Sequence, residues 1–136
     1  MARYAGKRKH GSQLKKTEEI GLWSRLKSVN DSEWGIAPHA IERIAQKRIR
    51  ATRQDIISTI HNANIVEYKI DFNKKIRTYD ERVVLRSKSV IHNKYNLHVV
   101  YSLTSKDVIS VWLNHINDYH KTLDWSIYDK NIKVFV

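Results

Sequence analysis

The chain has 136 residues, no cysteine and a formal net charge of +11. This length predicts a single domain with one modest core, and the lack of cysteine excludes disulfides, thiolate zinc sites and a cysteine nucleophile. No apolar run approaches the roughly 18 residues of a membrane span, and the basic N-terminus lacks the apolar block of a secretory signal. We therefore expect a cytoplasmic protein without a membrane partner, and nucleic acid is the first partner to consider.

Basic side chains are concentrated at the N-terminus. The first 16 residues contain no acidic side chain and six basic ones, which are Arg3, Lys7, Arg8, Lys9, Lys15 and Lys16. Residues 1–13 also include two glycines and show no apolar periodicity, which predicts a flexible basic arm. Such an arm can contact phosphates without reading sequence, although a solvated tail that only keeps the protein soluble has the same composition.

Three helices are predicted after the arm, because apolar residues recur at helical spacing over residues 14–29, 38–49 and 52–61. Pro38 suits the first turn of the second helix, where a missing N–H costs little. Thr52 is followed three residues later by an aspartate, which is typical of a helix N-cap. These segments form the N-terminal half of the predicted domain.

The period then changes to two, which predicts four strands over residues 66–72, 82–91, 97–104 and 108–114. Short turns between successive strands favour an antiparallel meander. We therefore predict one α+β domain over residues 14–136, with two to three N-terminal helices packed on one face of a four-stranded antiparallel meander sheet. The other face of the sheet is expected to be polar and to meet water.

Strand alternation assigns a basic and aromatic set of side chains to that open face, namely Arg82, Arg86, Lys88, His98, Ser102, Trp112 and Asn114. Phosphodiester cleavage without a metal needs a proton acceptor, a proton donor and a cation that stabilises the phosphorane. His39, on the second helix, and His98 can transfer protons because histidine titrates near neutral pH. Arg82 and Arg86 can grip the phosphate, and Trp112 can stack a splayed base.

Ordinary structural roles fit the same residues. The arginines and the lysine of the open face can be solvated charges, because antiparallel sheets often expose such a face. His39 can stabilise the start of its helix, His98 can pair across strands, and a lone tryptophan such as Trp112 is most often packing.

A metal site is a weaker interpretation of the histidines near the C-terminus. His115, Asp118 and His120 lie close in sequence, but a spacing of five residues is poor for one helical face. The spacing matches no metalloenzyme motif. No metal and no cofactor is predicted.

A resemblance to a known family rests on two helices and a meander. One helix carries His39, Arg43 and Lys47, and the next begins with Thr52 and Asp55. The meander contains Arg82-Val83-Val84-Leu85-Arg86 and Leu97-His98-Val99-Val100-Tyr101. With this pattern, residues 38–114 resemble small bacterial and phage domains related to RelE-type toxins and to the barnase–EndoU–colicin–RelE ribonuclease group. The resemblance does not cover residues 1–37 or 115–136.

The resemblance implies a RelE-like, metal-independent ribonuclease fold with its substrate on the open sheet face. It also implies that His39 is the leading acid–base residue, and that Arg82 and Arg86 occupy the places of phosphate-binding arginines. Lys47 stands where family members usually have arginine. The family alone does not establish function.

From the residues and the resemblance together, we predict a toxin-like endoribonuclease in which a 2′-hydroxyl attacks the adjacent phosphate and leaves a 2′,3′-cyclic end. The predicted catalytic residues are His39, Arg82, Arg86 and His98. RNA is expected to be bound by the N-terminal basic residues named above and by Arg43, Lys47, Lys88, Trp112 and Asn114.

Two other functions stay open. The first is a non-catalytic nucleic-acid-binding or phage-encoded regulatory protein, which predicts salt-sensitive binding without cleavage. The second is an interaction module for a protein partner, such as an antitoxin or a host target. In that case Trp34, Trp112 and Trp125 are candidate hot spots, because tryptophan is enriched in such contacts.

Overall fold

The computed structural model describes residues 7–30, 32–46, 51–75, 77–91, 94–116, 128–132 and 134. Within these residues the helices are α1 (Lys16–Lys27), α2 (Pro38–Gln46) and α3 (Arg53–His61). The strands are β1 (Lys7–His10), β2 (Gly35–Ile36), β3 (Ala63–Asn73), β4 (Thr78–Ile91), β5 (Tyr95–Ser102) and β6 (Asp107–His115).

The strands form one six-stranded sheet with the order β1-β3-β4-β5-β6-β2. Neighbouring strands are antiparallel, except that β2 runs parallel to β6. The prediction of a four-stranded antiparallel meander is therefore wrong, because an additional strand lies at each edge and the sheet is mixed. Strand β1 reads Lys-Arg-Lys-His and β2 is only two residues long, so neither carries the apolar alternation that identifies a strand in sequence.

Helix α3 begins where local chemistry predicts. The Thr52 Oγ1 accepts a hydrogen bond from the Asp55 N–H at 3.1 Å, and an Asp55 carboxylate oxygen accepts one from the Thr52 N–H at 2.8 Å. This reciprocal pair is a capping box, and it confirms the N-cap that the sequence predicted for α3. Helix α1 is slightly shorter than predicted, and residues 47–50, where α2 was expected to end, lie outside the described residues.

The core lies between one face of the sheet and the helices. Apolar residues of α1 and α3 pack there against strand residues, and the cluster includes Leu22, Leu26, Ile56, Ile60, Val83, Leu85, Leu97 and Val99. Because side chains alternate along a strand, Arg82, Val84 and Arg86 are directed to the opposite face. That second face is called the polar face below.

Residues 7–13 do not form part of a flexible arm. Strand β1 pairs with β3 over four residues, and a short 3-10 turn follows at Gly11–Gln13. A Cβ on Gly11 would lie 1.9 Å from the Ile65 carbonyl oxygen, so glycine serves close approach to β3 here rather than mobility. Residues 1–6, including Arg3, lie outside the described residues.

Candidate nucleic-acid interface

A cavity of about 410 Å³ opens on the polar face and is called the sheet cavity below. Residues from β1, β3, β4, β5 and β6 line it, together with Tyr128. Its apolar floor consists of Val66, Val84, Val100 and Ile109, and its polar and aromatic groups are Arg8, Glu67, Lys69, Arg82, His98, Ser110, Trp112 and Tyr128. An apolar cavity with a few convergent polar groups has the usual make-up of a binding site.

Three cations form a row across the strands at one side of this cavity. Arg8 lies directly opposite Lys69, and Lys69 lies directly opposite Arg82. Like charges in directly opposite positions destabilise a sheet. Burial, followed by the positive charges of Arg8 and Arg82, lowers the pKa of Lys69 from its ordinary value of 10.5, although Asp71 and Glu67 act in the opposite direction. The row therefore brings three positive charges together, and neighbouring acidic side chains offset part of their repulsion.

The two arginines of the row are oriented by acidic neighbours. The Arg82 Nε donates to an Asp80 carboxylate oxygen at 2.7 Å, and the second Asp80 oxygen accepts from the Ser102 hydroxyl at 2.7 Å. Arg8 lies 3.6 Å from Glu67. About a third of each arginine side chain is exposed, so both are positioned while part of each remains accessible.

Aromatic rings form one wall of the sheet cavity. The rings of His98 and Trp112 stack with centroids 5.1 Å apart and an interplanar angle of 13°. Trp112 is half-buried, whereas His98 has 0% exposure. Near β1, Tyr128 contacts His10 edge-to-face at 5.2 Å. Burial, followed by the charge of Glu67, raises the pKa of Tyr128 to about 12, so its hydroxyl stays neutral at physiological pH.

The structure does not bring the two predicted acid–base histidines together. His39 is exposed on α2, and Ile44 of the same helix packs against the core, so α2 lies on the helix side of the sheet. His98 is fully buried on the polar face behind the ring of Trp112. Among the described residues, the lining of the sheet cavity includes His98 but not His39.

Arg86 shares the polar face but is used inside the fold. Its Nε donates to the Asn96 side-chain oxygen at 3.0 Å, and its Nη2 donates to the carbonyls of His115 and Ile116 at 3.2 and 3.3 Å. These bonds hold the end of β6, since the guanidinium donates to the carbonyl of its last residue and to that of the residue after it. Arg86 therefore has a structural role that the sequence analysis did not predict.

Lys9 is not available to nucleic acid, contrary to the prediction. It is 1% exposed, and its Nζ donates to Glu18 at 2.8 Å and to the Ile132 carbonyl at 3.1 Å. Strand alternation explains why Lys9 is buried. It lies opposite Tyr68 in the pairing of β1 with β3, and both side chains are directed to the core. Its neighbour Arg8 faces Lys69, on the polar side.

The other predicted nucleic-acid contacts are dispersed. Lys15 and Lys16 are exposed at the start of α1, Arg43 is exposed on α2, and Lys88 is exposed on β4 beyond the cavity. Asn114 lies opposite Asn96 on the polar face. Arg3, Lys47 and the side chain of Lys7 lie outside the described residues.

Sequence reasoning missed several cavity residues. Lys69 lies in the predicted strand and in its polar phase, but only the register with β1 and β4 places it between two arginines. Tyr128 reaches the cavity because its backbone forms an isolated parallel β-bridge with Arg8. Asp118, His120 and Trp125 fall outside the described residues, and no group of three or more potential metal ligands occurs within the described ones.

None of the helices in the described part of the chain is both long enough and apolar enough to cross a bilayer. The resemblance to RelE-type toxins stays a prediction. No protein family, no curated protein and no solved structure matches the chain.

Proposed function

We propose that the protein binds single-stranded RNA in the sheet cavity and does not cleave it. The observation that carries this proposal is the row of Arg8, Lys69 and Arg82, three cations held in register beside an apolar floor and a tryptophan ring. Glu67 and Asp80 offset part of the repulsion within this row in the free protein, and phosphates would offset the remainder on binding.

The dimensions of the row fit a nucleic-acid backbone rather than one isolated phosphate. Adjacent strands lie about 4.8 Å apart, so the three cations span roughly 10 Å. Trp112 lies on the other side of the apolar floor, and His98 packs on one face of its ring. A base that stacks on the remaining ring face, while its phosphates lie along the cations, would use the contacts typical of single-strand binding.

Binding without cleavage is favoured by the positions of the histidines. A general acid or base has to reach the proton that it transfers, directly or through one water. The ring of Trp112 stacks on His98 and covers it, and His39 lies on a helix that packs on the other side of the sheet. With the two histidines in these positions, they would not act together on one scissile phosphodiester bond.

The protein-interaction alternative receives less support from the tryptophans. Trp34 is 4% exposed, and the Arg53 guanidinium lies 3.9 Å above its ring centroid. Since Trp34 is used in packing and Trp125 lies outside the described residues, the proposed set of three aromatic hot spots has no common surface among the described residues.

Fluorescence anisotropy of a labelled single-stranded RNA, with the full chain and EDTA, tests the proposal. Three phosphate contacts predict that log K falls with log salt with a slope of about −2, since each single-strand contact contributes about −0.7. A duplex of the same sequence should bind more weakly because its bases are not available for stacking. Failure to bind, or affinity that does not depend on salt, would refute RNA binding, and new 2′,3′-cyclic ends would refute the non-catalytic assignment.

Replacing Trp112 by leucine should weaken RNA binding by about tenfold, because loss of one base–aromatic stack costs about 1–3 kcal/mol. Leucine keeps an apolar side chain over His98. The matched control is Trp23→Leu, which removes a tryptophan from the helix side of the molecule and should leave affinity unchanged. Equal affinities for both variants and the parent would exclude Trp112 as a stacking platform.

A further inference from the structure

A second pocket, of about 280 Å³, lies on the helix side of the sheet and is called the edge pocket below. It lies between the end of α1, the segment that leads to β2, and the turn between β5 and β6. Its lining includes Arg25, Val29, Glu33, Tyr101, Leu103 and Lys106. None of these residues belongs to the sheet cavity, so the edge pocket is a separate site.

The hydroxyl of Tyr101 is the feature that indicates a ligand. Tyr101 has 0% exposure, and its hydroxyl has no hydrogen-bond partner among the described residues. Buried polar groups are nearly always hydrogen-bonded, and an exception requires an explanation. Burial, followed by the charges of Asp107 and Glu33, raises the pKa of Tyr101 to about 12. The hydroxyl is therefore neutral at physiological pH, and an N–H donor can complete the hydrogen bonding of its oxygen.

Charged groups of both signs line the same pocket. The Lys106 Nζ lies 3.1 Å from a Glu33 carboxylate oxygen, and both side chains are more than a third exposed. Such a surface pair contributes little to stability. A ligand that carries one positive and one negative group can therefore separate the two side chains and pair with each of them at little cost in free energy. Arg25 keeps its own partner, because its guanidinium donates to both carboxylate oxygens of Glu81 at 2.7 and 3.4 Å.

We propose that the edge pocket binds a small zwitterion of the free amino-acid type. The ligand's ammonium group donates to the Tyr101 oxygen and to Glu33, its carboxylate meets Lys106, and an apolar side chain packs between Val29 and Leu103. This arrangement satisfies the buried hydroxyl and matches each charge of the surface pair with an opposite one. The proposal does not depend on RNA binding.

The test uses the full chain and L-leucine as the probe, with binding measured by calorimetry and by the thermal unfolding midpoint. L-leucine should raise the midpoint, as any ligand selective for the folded state does. Two controls lack one charge each: 4-methylpentanoate has no ammonium group, and 3-methylbutylamine has no carboxylate. Each should bind at least tenfold more weakly than L-leucine. Absence of L-leucine binding, or equal binding of all three compounds, would overturn the proposal.

Tyr101→Phe removes only the hydroxyl and separates a ligand role from a structural one. The variant should bind L-leucine at least tenfold more weakly, yet unfold at the same temperature as the unliganded parent or higher, because it deletes a buried group without a protein partner. A lower midpoint with unchanged L-leucine binding would show that the hydroxyl bonds only to structural water, and would overturn the proposal. Glu33→Gln provides a second, exposed position where the same loss of binding is expected.

Discussion

Replacing Glu18 by glutamine is expected to lower the free energy of unfolding by about 3 kcal/mol. Lys9 is 1% exposed, and its ammonium lies 2.8 Å from a Glu18 carboxylate oxygen. Glutamine keeps the size of the side chain but leaves the buried ammonium without a counter-charge, a change that typically costs about 3–5 kcal/mol. The Glu18 side chain retains 10% exposure, which favours the lower end of that range. Urea unfolding measures the change.

The matched control replaces both partners. Lys9→Met combined with Glu18→Gln removes the two charges together and should recover most of the lost stability, because well-packed neutral side chains often replace buried ion pairs at little cost. A Glu18→Gln variant as stable as the parent would show that water solvates Lys9. In that case the double substitution would bring no recovery.

The same pair should make the protein sensitive to acid. Burial alone would raise the pKa of Glu18, but hydrogen bonds from Lys9 and from the backbone N–H groups of Lys15 and Val134 outweigh it and lower the pKa below 4.5. A carboxyl group with a lowered folded pKa stabilises the fold above its unfolded pKa, and that stability is lost as the pH falls through the folded value. Unfolding at pH 7 and at pH 3 should therefore show a smaller difference between the parent and Glu18→Gln at pH 3. A difference that does not change with pH would contradict this assignment.

Replacing Lys69 by glutamate should change stability and RNA binding in opposite directions. The carboxylate would lie between Arg8 and Arg82 in place of a third cation, and opposite charges across strands stabilise a sheet by about 0.2–1 kcal/mol for each pair. Although Glu67 and Asp71 would repel the new carboxylate, the two arginines lie directly opposite it, so the free protein should become more stable. Its affinity for single-stranded RNA should fall by about tenfold or more at low salt, because one phosphate contact is lost and one repulsion is added.

Lys27→Glu is the control for net charge. Lys27 is exposed near the end of α1, on the helix side of the sheet, and its replacement makes the same change in total charge. If both variants lost affinity equally, binding would follow overall charge rather than the row in the sheet cavity. If Lys69→Glu lowered stability as well, the cationic row would not be a source of strain in the free protein.

The positions of the helices and of the four central strands could be predicted because each has a clear apolar period. The capping pair of Thr52 and Asp55 is a local signal, and it was confirmed. The face shared by Arg82, His98 and Trp112 follows from alternation alone and also matches the structure. Each of these features depends on residues that are close together in the chain, so it can be recognised from the sequence alone.

The parts that failed depend on partners far apart in the chain. Lys9 and Arg8 are adjacent basic residues, yet pairing with β3 sends one into the core and the other to the polar face. The burial of His98 depends on the register of β5 with β6, which places Trp112 over it. The β2 strand exists only because two residues meet β6 in parallel. Amino-acid composition and apolar periodicity do not show which residues of two distant strands will pair.

The contacts of β1 have a consequence for the order of events during synthesis. Its second residue, Arg8, bridges Tyr128 and accepts a hydrogen bond from the Asp129 N–H at 2.7 Å, and its third, Lys9, bonds the Ile132 carbonyl 123 positions later. These bonds cannot form until the late segment has left the ribosome. Although β1 is translated before the other described strands, it is therefore among the last of them to reach its native surroundings, and the sheet cavity is complete only once Tyr128 has left the ribosome.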